Sequence, residues 1–126
     1  MKQEDKDLLL NDLCGRLPYG VKVKFGDSKP ALLTVIEHDE FGWQIGSEDE
    51  FGGMITFIDN VKPYLFPMSS MTEEQKEEFN SLMVKDSYDI LYYTPKAFDF
   101  LYENHIDFRG LIPMGLAIDA TGLNIY

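Results

Sequence analysis

Between Val21 and Phe66 the chain carries a run of short apolar segments separated by turn residues, and this run most constrains the fold. Val21, Val23 and Phe25 alternate with Lys22 and Lys24, the period-two signature of a half-buried strand. Gly26-Asp27-Ser28-Lys29-Pro30 is turn chemistry. Ala31 to Glu37 is β-branched and apolar and reads as a strand central to the sheet. His38-Asp39-Glu40 makes a tight connection. Phe41, Trp43 and Ile45 then alternate with Gly42, Gln44 and Gly46, as core residues do. Ser47-Glu48-Asp49-Glu50 and Gly52-Gly53 form the next loop, and Met54 to Ile58 reads as a fourth strand. Asp59-Asn60-Val61 suits one 3₁₀ turn, and Lys62 to Phe66 a fifth strand held to an edge by Pro63. Short strands joined this tightly predict a small, strongly bent antiparallel sheet or an SH3-like barrel, with an open meander packed on helices as the competitor.

Helical signals flank this run. From Gln3 to Cys14, Leu9, Leu10 and Leu13 form one stripe, Glu4 and Asp5 occupy the first turn, and Gly15 fits the position after the last helical residue. After Pro67, Thr72 and Gln75 have the spacing of a capping box, opening a helix over Glu73 to Val84. Tyr88 to Tyr93 reads as a strand or extended link, with Ile90 and Leu91 at least partly buried. Thr94-Pro95 opens a further helix with Ala97, Phe98, Leu101 and Tyr102 facing inward. The tail from Gly110 is apolar but broken by Pro113, Gly115 and Gly122, so a helical turn near Leu111 and an irregular end are expected. The fold class is therefore α+β in one domain over residues 1–126: a helix in 1–17, a strand-rich half in 18–66 and a helical half in 67–126.

Charge bears on function more than any motif does. The chain has 22 acids against 11 lysines and arginines, a net charge of −11. That charge repels nucleic acid and anionic membranes and suits a basic protein partner. From Ala31 to Val61 there is no lysine or arginine, while Glu37, Asp39, Glu40, Glu48, Asp49, Glu50 and Asp59 all fall there. Glu37, Asp39, Glu40, Glu48, Asp49 and Glu50 are the candidate partner-binding acidic face, gathered at hairpin tips. Glu48-Asp49-Glu50 lacks the alternation, central glycine and final glutamate of a calcium loop.

Catalytic chemistry finds little support. Cys14, the single cysteine, precludes an intrachain disulfide. At a helix C-terminus its thiolate is opposed by the dipole, so it reads as a small buried apolar residue. His38 sits in a turn and His105 ends a helix, where dipole stabilisation explains it; neither has metal-ligand spacing. Phosphate-loop, dinucleotide, nucleophile-elbow and zinc-protease motifs are absent. No catalytic residue, metal ligand or cofactor is assigned. A carboxylate- or metal-dependent hydrolase using His38 or His105 is the first alternative. A nucleic-acid-binding barrel using Lys22, Lys24, Phe41 and Trp43 is the second. Leu8-Leu9-Leu10 is too short for a signal core, and no stretch approaches the roughly 18 apolar residues of a membrane helix, so a cytoplasmic setting is expected.

Several segments carry a resemblance. Lys62-Pro63-Tyr64-Leu65, Pro67-Met68-Ser69-Ser70-Met71-Thr72-Glu73-Glu74, Asp107-Phe108-Arg109-Gly110-Leu111-Ile112 and Gly115-Leu116-Ala117 resemble stretches of a family of small uncharacterised proteins from Bacteroides-type gut bacteria and their phages or prophages. Asp12-Leu13-Cys14 and Arg16 to Val21 match it more loosely. That family has no assigned activity, so the resemblance implies a phage or mobile-element setting and carries over no site. Arg109 reads as a structural residue tying carbonyls or a carboxylate of the packed tail.

Overall fold

The computed structural model describes residues 1–49 and 52–126. Helix α1 (Gln3–Arg16) passes through Gly15 and continues into a 3₁₀ turn at Leu17–Tyr19. The left-handed stop falls at Gly20, φ 75°, not at Gly15. The reason for glycine at 15 is a close approach: a Cβ there would lie 2.5 Å from the Tyr102 ring and hydroxyl. Leu9 and Leu13 of α1 are fully buried.

Strand β1 (Lys22–Phe25) has the expected alternation, with Val23 and Phe25 buried. The segment predicted as one central strand is instead two. β2 (Ala31–Leu32) closes the edge of one sheet beside β1, and β3 (Val35–Asp39) forms the edge of another. The switch takes two residues. The Leu33 N–H donates to the Val21 carbonyl at 3.0 Å, and the Thr34 N–H donates to Gly46 at 3.0 Å. β3 pairs with β4 (Gly42–Asp49), which pairs with β5 (Gly52–Phe57), making a three-stranded antiparallel meander.

After a 3₁₀ turn at Ile58–Asn60 comes β6 (Val61–Pro67), which is the central strand of the main sheet and not an edge. The Gly26 N–H donates to the Asn60 carbonyl at 2.8 Å, and β1 pairs with β6 in register Lys24↔Lys62 and Val23↔Pro63. Hydrogen-bonded pairs alternate along an antiparallel ladder, so Pro63 falls at a non-bonded position with its nitrogen turned from β1. On that other side the parallel neighbour begins only at Tyr64, so no donor is missed.

Helix α2 (Glu73–Ser81) has the predicted capping box. The Gln75 N–H donates to Thr72 Oγ1 at 3.1 Å, and the Thr72 N–H donates to Gln75 Oε1 at 2.9 Å. It ends before Val84, because β7 (Val84–Lys85) pairs with β8 (Leu91–Tyr92) as a small hairpin on which Ile90 and Leu91 are exposed. Helix α3 (Pro95–Glu103) is capped by Thr94, whose Oγ1 accepts from the Ala97 N–H at 3.1 Å. Ala97 and Leu101 face inward as expected, together with Phe100. The tail is less irregular than its glycines implied. β9 (Ile106–Asp107) and β10 (Ile118–Asp119) both add to β6 in parallel. Residues near Leu111 form a turn held by the buried Asp107 carboxylate, which accepts from the Leu111 and Ile112 N–H groups, each at 2.9 Å.

Among the described residues the architecture is α+β with an N-terminal helix and three open sheets, of five strands, partly parallel, then three and two, none closed into a barrel. One core gathers Leu9, Leu13, Val21, Val23, Ile45, Val61, Leu65 and Leu111. Another gathers Met71, Phe79, Phe100, Leu101 and Ile106 around the later helices.

Candidate functional site

The meander carries a set of exposed apolar side chains on a segment without cations. Phe41 is 72% exposed and Trp43 42%, while Ile55 and Phe57 on β5 are about half exposed. This corrects the core assignment of Phe41 and Trp43. Trp43 shares a strand face with the buried Ile45, but the core covers only the Ile45 end of that face. Phe41 lies in the turn, where strand alternation no longer applies. Asp39 fixes that turn: one carboxylate oxygen accepts from the Phe41 N–H at 2.8 Å and the other from Gln44 Nε2 at 2.6 Å. The His38 ring meets Trp43 edge-on at 4.9 Å.

Between this hairpin end and the first turns of α1 runs a groove of about 300 Å³. Lys6, Asp7 and Leu10 line it from the helix, Phe41 and Trp43 from the hairpin, and Asp59 from the 3₁₀ turn. Lys6 is not a free cation there, because its Nζ pairs with Asp59 at 3.4 Å. Asp7 accepts from Gln3 Nε2 at 2.9 Å. Asp39 and Glu40, at the same end of β4 as Phe41, are exposed. The groove is thus apolar in its walls and acidic at its rim.

Five of the six predicted acids fall within the described residues. Glu37 and Asp39 lie on β3 and Glu40 in the turn after it. Glu48 and Asp49 belong to the far end of β4, roughly 23 Å from the groove end at about 3.3 Å per residue. Glu50 lies outside the described residues.

The other candidates are dispersed. Cys14 is exposed rather than buried, since it falls on the opposite side of α1 from Leu9 and Leu13. Partial burial pushes its thiol upward, away from thiolate chemistry. His105 is not a dipole-stabilised cation. Burial, then Arg16 and Lys22, lower its pKa to about 4, and the ring stacks on Tyr126 at 3.8 Å. His105 takes φ 58° just past the end of α3, so its ring packs on the tail. Lys22 reaches the Ile125 carbonyl and Lys24 sits opposite Lys62 on the main sheet, whereas Phe41 and Trp43 belong to the meander's end of the chain. Among the described residues, no three of His, Cys, Asp and Glu converge as metal ligands, and no helix is long and apolar enough to cross a membrane.

Arg109 ties down a carboxylate, but on α1 rather than in the tail. Its Nη1 donates to Asp12 Oδ1 at 2.6 Å and its Nη2 to the Tyr102 hydroxyl at 2.9 Å. Asp12 Oδ2 accepts from Arg16 Nε at 2.7 Å, and Arg16 Nη2 donates to the Ile106 carbonyl at 2.7 Å. Asp12 and Arg16 are completely buried. The i,i+4 spacing of Asp12 and Arg16 was a readable signal for this pair. The arrangement ties α1 to α3 and β9. No family model, curated protein or solved structure matches the chain.

Proposed function

We propose that the protein is a non-catalytic interaction domain whose α1–hairpin groove takes a basic, apolar-anchored segment of a protein partner. The observation that carries this reading is the exposed Phe41–Trp43 pair set in a stretch with no lysine or arginine from Ala31 to Val61. Aromatic anchors in a concave site are what protein interfaces use for affinity. An acidic rim selects a cationic partner and accelerates its arrival. The net charge of −11 disfavours nucleic acid at the same surface. A role as an accessory factor of a phage or mobile element fits the resemblance of the Lys62–Glu74 and Asp107–Ala117 segments.

Trp43 is the single tryptophan and therefore a built-in reporter. Titration with peptides alternating Lys or Arg with Leu or Phe should shift and saturate its emission, and added salt should weaken the response. Glu-containing peptides of the same pattern should give none. Phe41→Ser should weaken binding at least ~10-fold, as expected for a central anchor. Equal responses to basic and acidic peptides would sink the proposal.

A further inference from the structure

A second apolar surface lies on the β7–β8 hairpin, away from the groove. Tyr88 is 83% exposed, and Val84, Ile90, Leu91, Tyr92 and Tyr93 are each roughly half exposed. The hairpin is nevertheless firmly organised. Asp86 Oδ1 accepts from the Tyr88 and Ile90 N–H groups at 2.8 and 2.9 Å, and Oδ2 accepts from the Tyr92 hydroxyl at 3.0 Å. At its base Thr94 Oγ1 donates to the Leu82 carbonyl at 2.6 Å, and the Tyr93 ring meets Phe79 and Phe98 edge-on. A two-stranded hairpin is marginal alone, and ordering six apolar side chains into water gains nothing within the chain.

We infer that this hairpin is a self-association surface, on which β8 of one copy pairs with β8 of a second copy about a two-fold axis. Three observations choose that occupant. Among the described residues β8 pairs only with β7, so its outer edge is open, and no charge occurs from Ile90 to Thr94 on it. The β7 edge is marked by Lys85, the kind of residue that discourages edge pairing. Local charge is balanced: Lys85 and Lys96 offset Asp86 and Asp89, and Lys85 pairs with Asp89 at 3.3 Å. Two copies each carrying −11 meet with least repulsion at such a neutral patch. Val84, Ile90 and Tyr92 share one face of the hairpin and Leu91 and Tyr93 the other, so a two-fold pairing buries well under about 1,200 Å², the size of a weak, transient contact.

Sedimentation equilibrium of the full chain tests this. A weak monomer–dimer equilibrium is expected, and it should tighten as salt screens the like charges of the two copies. Leu91→Lys should abolish association and Tyr88→Ser should weaken it at least ~10-fold. Tyr88 is so exposed that its replacement leaves folding intact, so that variant decides the matter even if Leu91→Lys fails to fold. Phe41→Ser, which cripples the groove, should leave the dimer unchanged. A chain monomeric at every concentration overturns the inference. So does a dimer indifferent to Tyr88→Ser, one lost with Phe41→Ser, or one loosened by salt.

Discussion

Gly15→Ala separates helix propensity from packing, because the two predict opposite signs. On propensity alone, replacing this helical glycine by alanine stabilises by up to about 1 kcal/mol. The new methyl, however, would lie 2.5 Å from Tyr102 Cζ and Oη. A tyrosine tip can often swing aside, but this one is held. Its hydroxyl accepts from Arg109, its ring stacks on Tyr19 at 5.7 Å and meets Phe108 at 5.4 Å, and the Arg16 guanidinium lies 5.3 Å from its centroid. Overpacking costs about 1–3 kcal/mol. Losing a hydrogen bond to a charged group costs about 1.5 kcal/mol more. Set against the propensity gain, Gly15→Ala should destabilise by about 1.5–3.5 kcal/mol, read as a lower urea midpoint followed by far-UV circular dichroism. In a Tyr102→Ala background the same change should become neutral or stabilising. A Gly15→Ala protein more stable than the parent, or an unchanged penalty beside Tyr102→Ala, would refute the reasoning.

Asp12→Ala should cost about 3–5 kcal/mol by stranding the buried Arg16, whereas Lys6→Ala at a surface pair should change stability by less than about 1 kcal/mol; chemical denaturation compares them. Thr72→Ala removes the capping hydroxyl of α2 and should cost about 1 kcal/mol in the same assay. His105 titrates at about 4 in the fold against about 6.5 unfolded, so the unfolded chain binds the extra proton between those values. The contribution of His105 is therefore constant above about pH 6.5, and stability falls as pH drops from there toward 4. Because the ring is partly exposed, the loss is discounted for solvent screening to about 1 kcal/mol. His105→Asn, suited to the positive φ, should remove that part of the slope in melting temperatures taken across the window.

Signals confined to a few neighbouring residues were legible in the sequence. The Thr72–Gln75 box, the Thr94-Pro95 start and the Val21–Val23–Phe25 alternation all depend on contacts within a turn or a strand. What pairs with what was not legible. Pro63 argued for an edge because a proline lacks a donor, but whether that donor is needed depends on where Tyr64 and Ile118 fall in register. Ala31 to Glu37 looked continuous because β-branched residues suit either sheet, and only the bonds at Leu33 and Thr34 divide it. The groove was half visible. The missing cations and the aromatics are plain in the sequence, but alternation names a shared face without saying whether anything covers it, so Phe41 and Trp43 read as core. At Ile90 and Leu91 hydrophobicity likewise does not establish burial.

The position of β6 sets a timetable for synthesis. Its antiparallel partner β1 precedes it, but the strands that cover its other side, β9 and β10, begin at Ile106 and Ile118. At about 5–20 residues per second, some 40–50 further residues take about 2–10 s to leave the ribosome. For that interval a strand bearing Tyr64, Leu65 and Phe66 presents an open edge. Slower translation downstream of Pro67 would lengthen the exposure, so the yield of soluble protein should respond to codon choice in the segment from Met68 to Asp119 as well as to the stability of the finished fold.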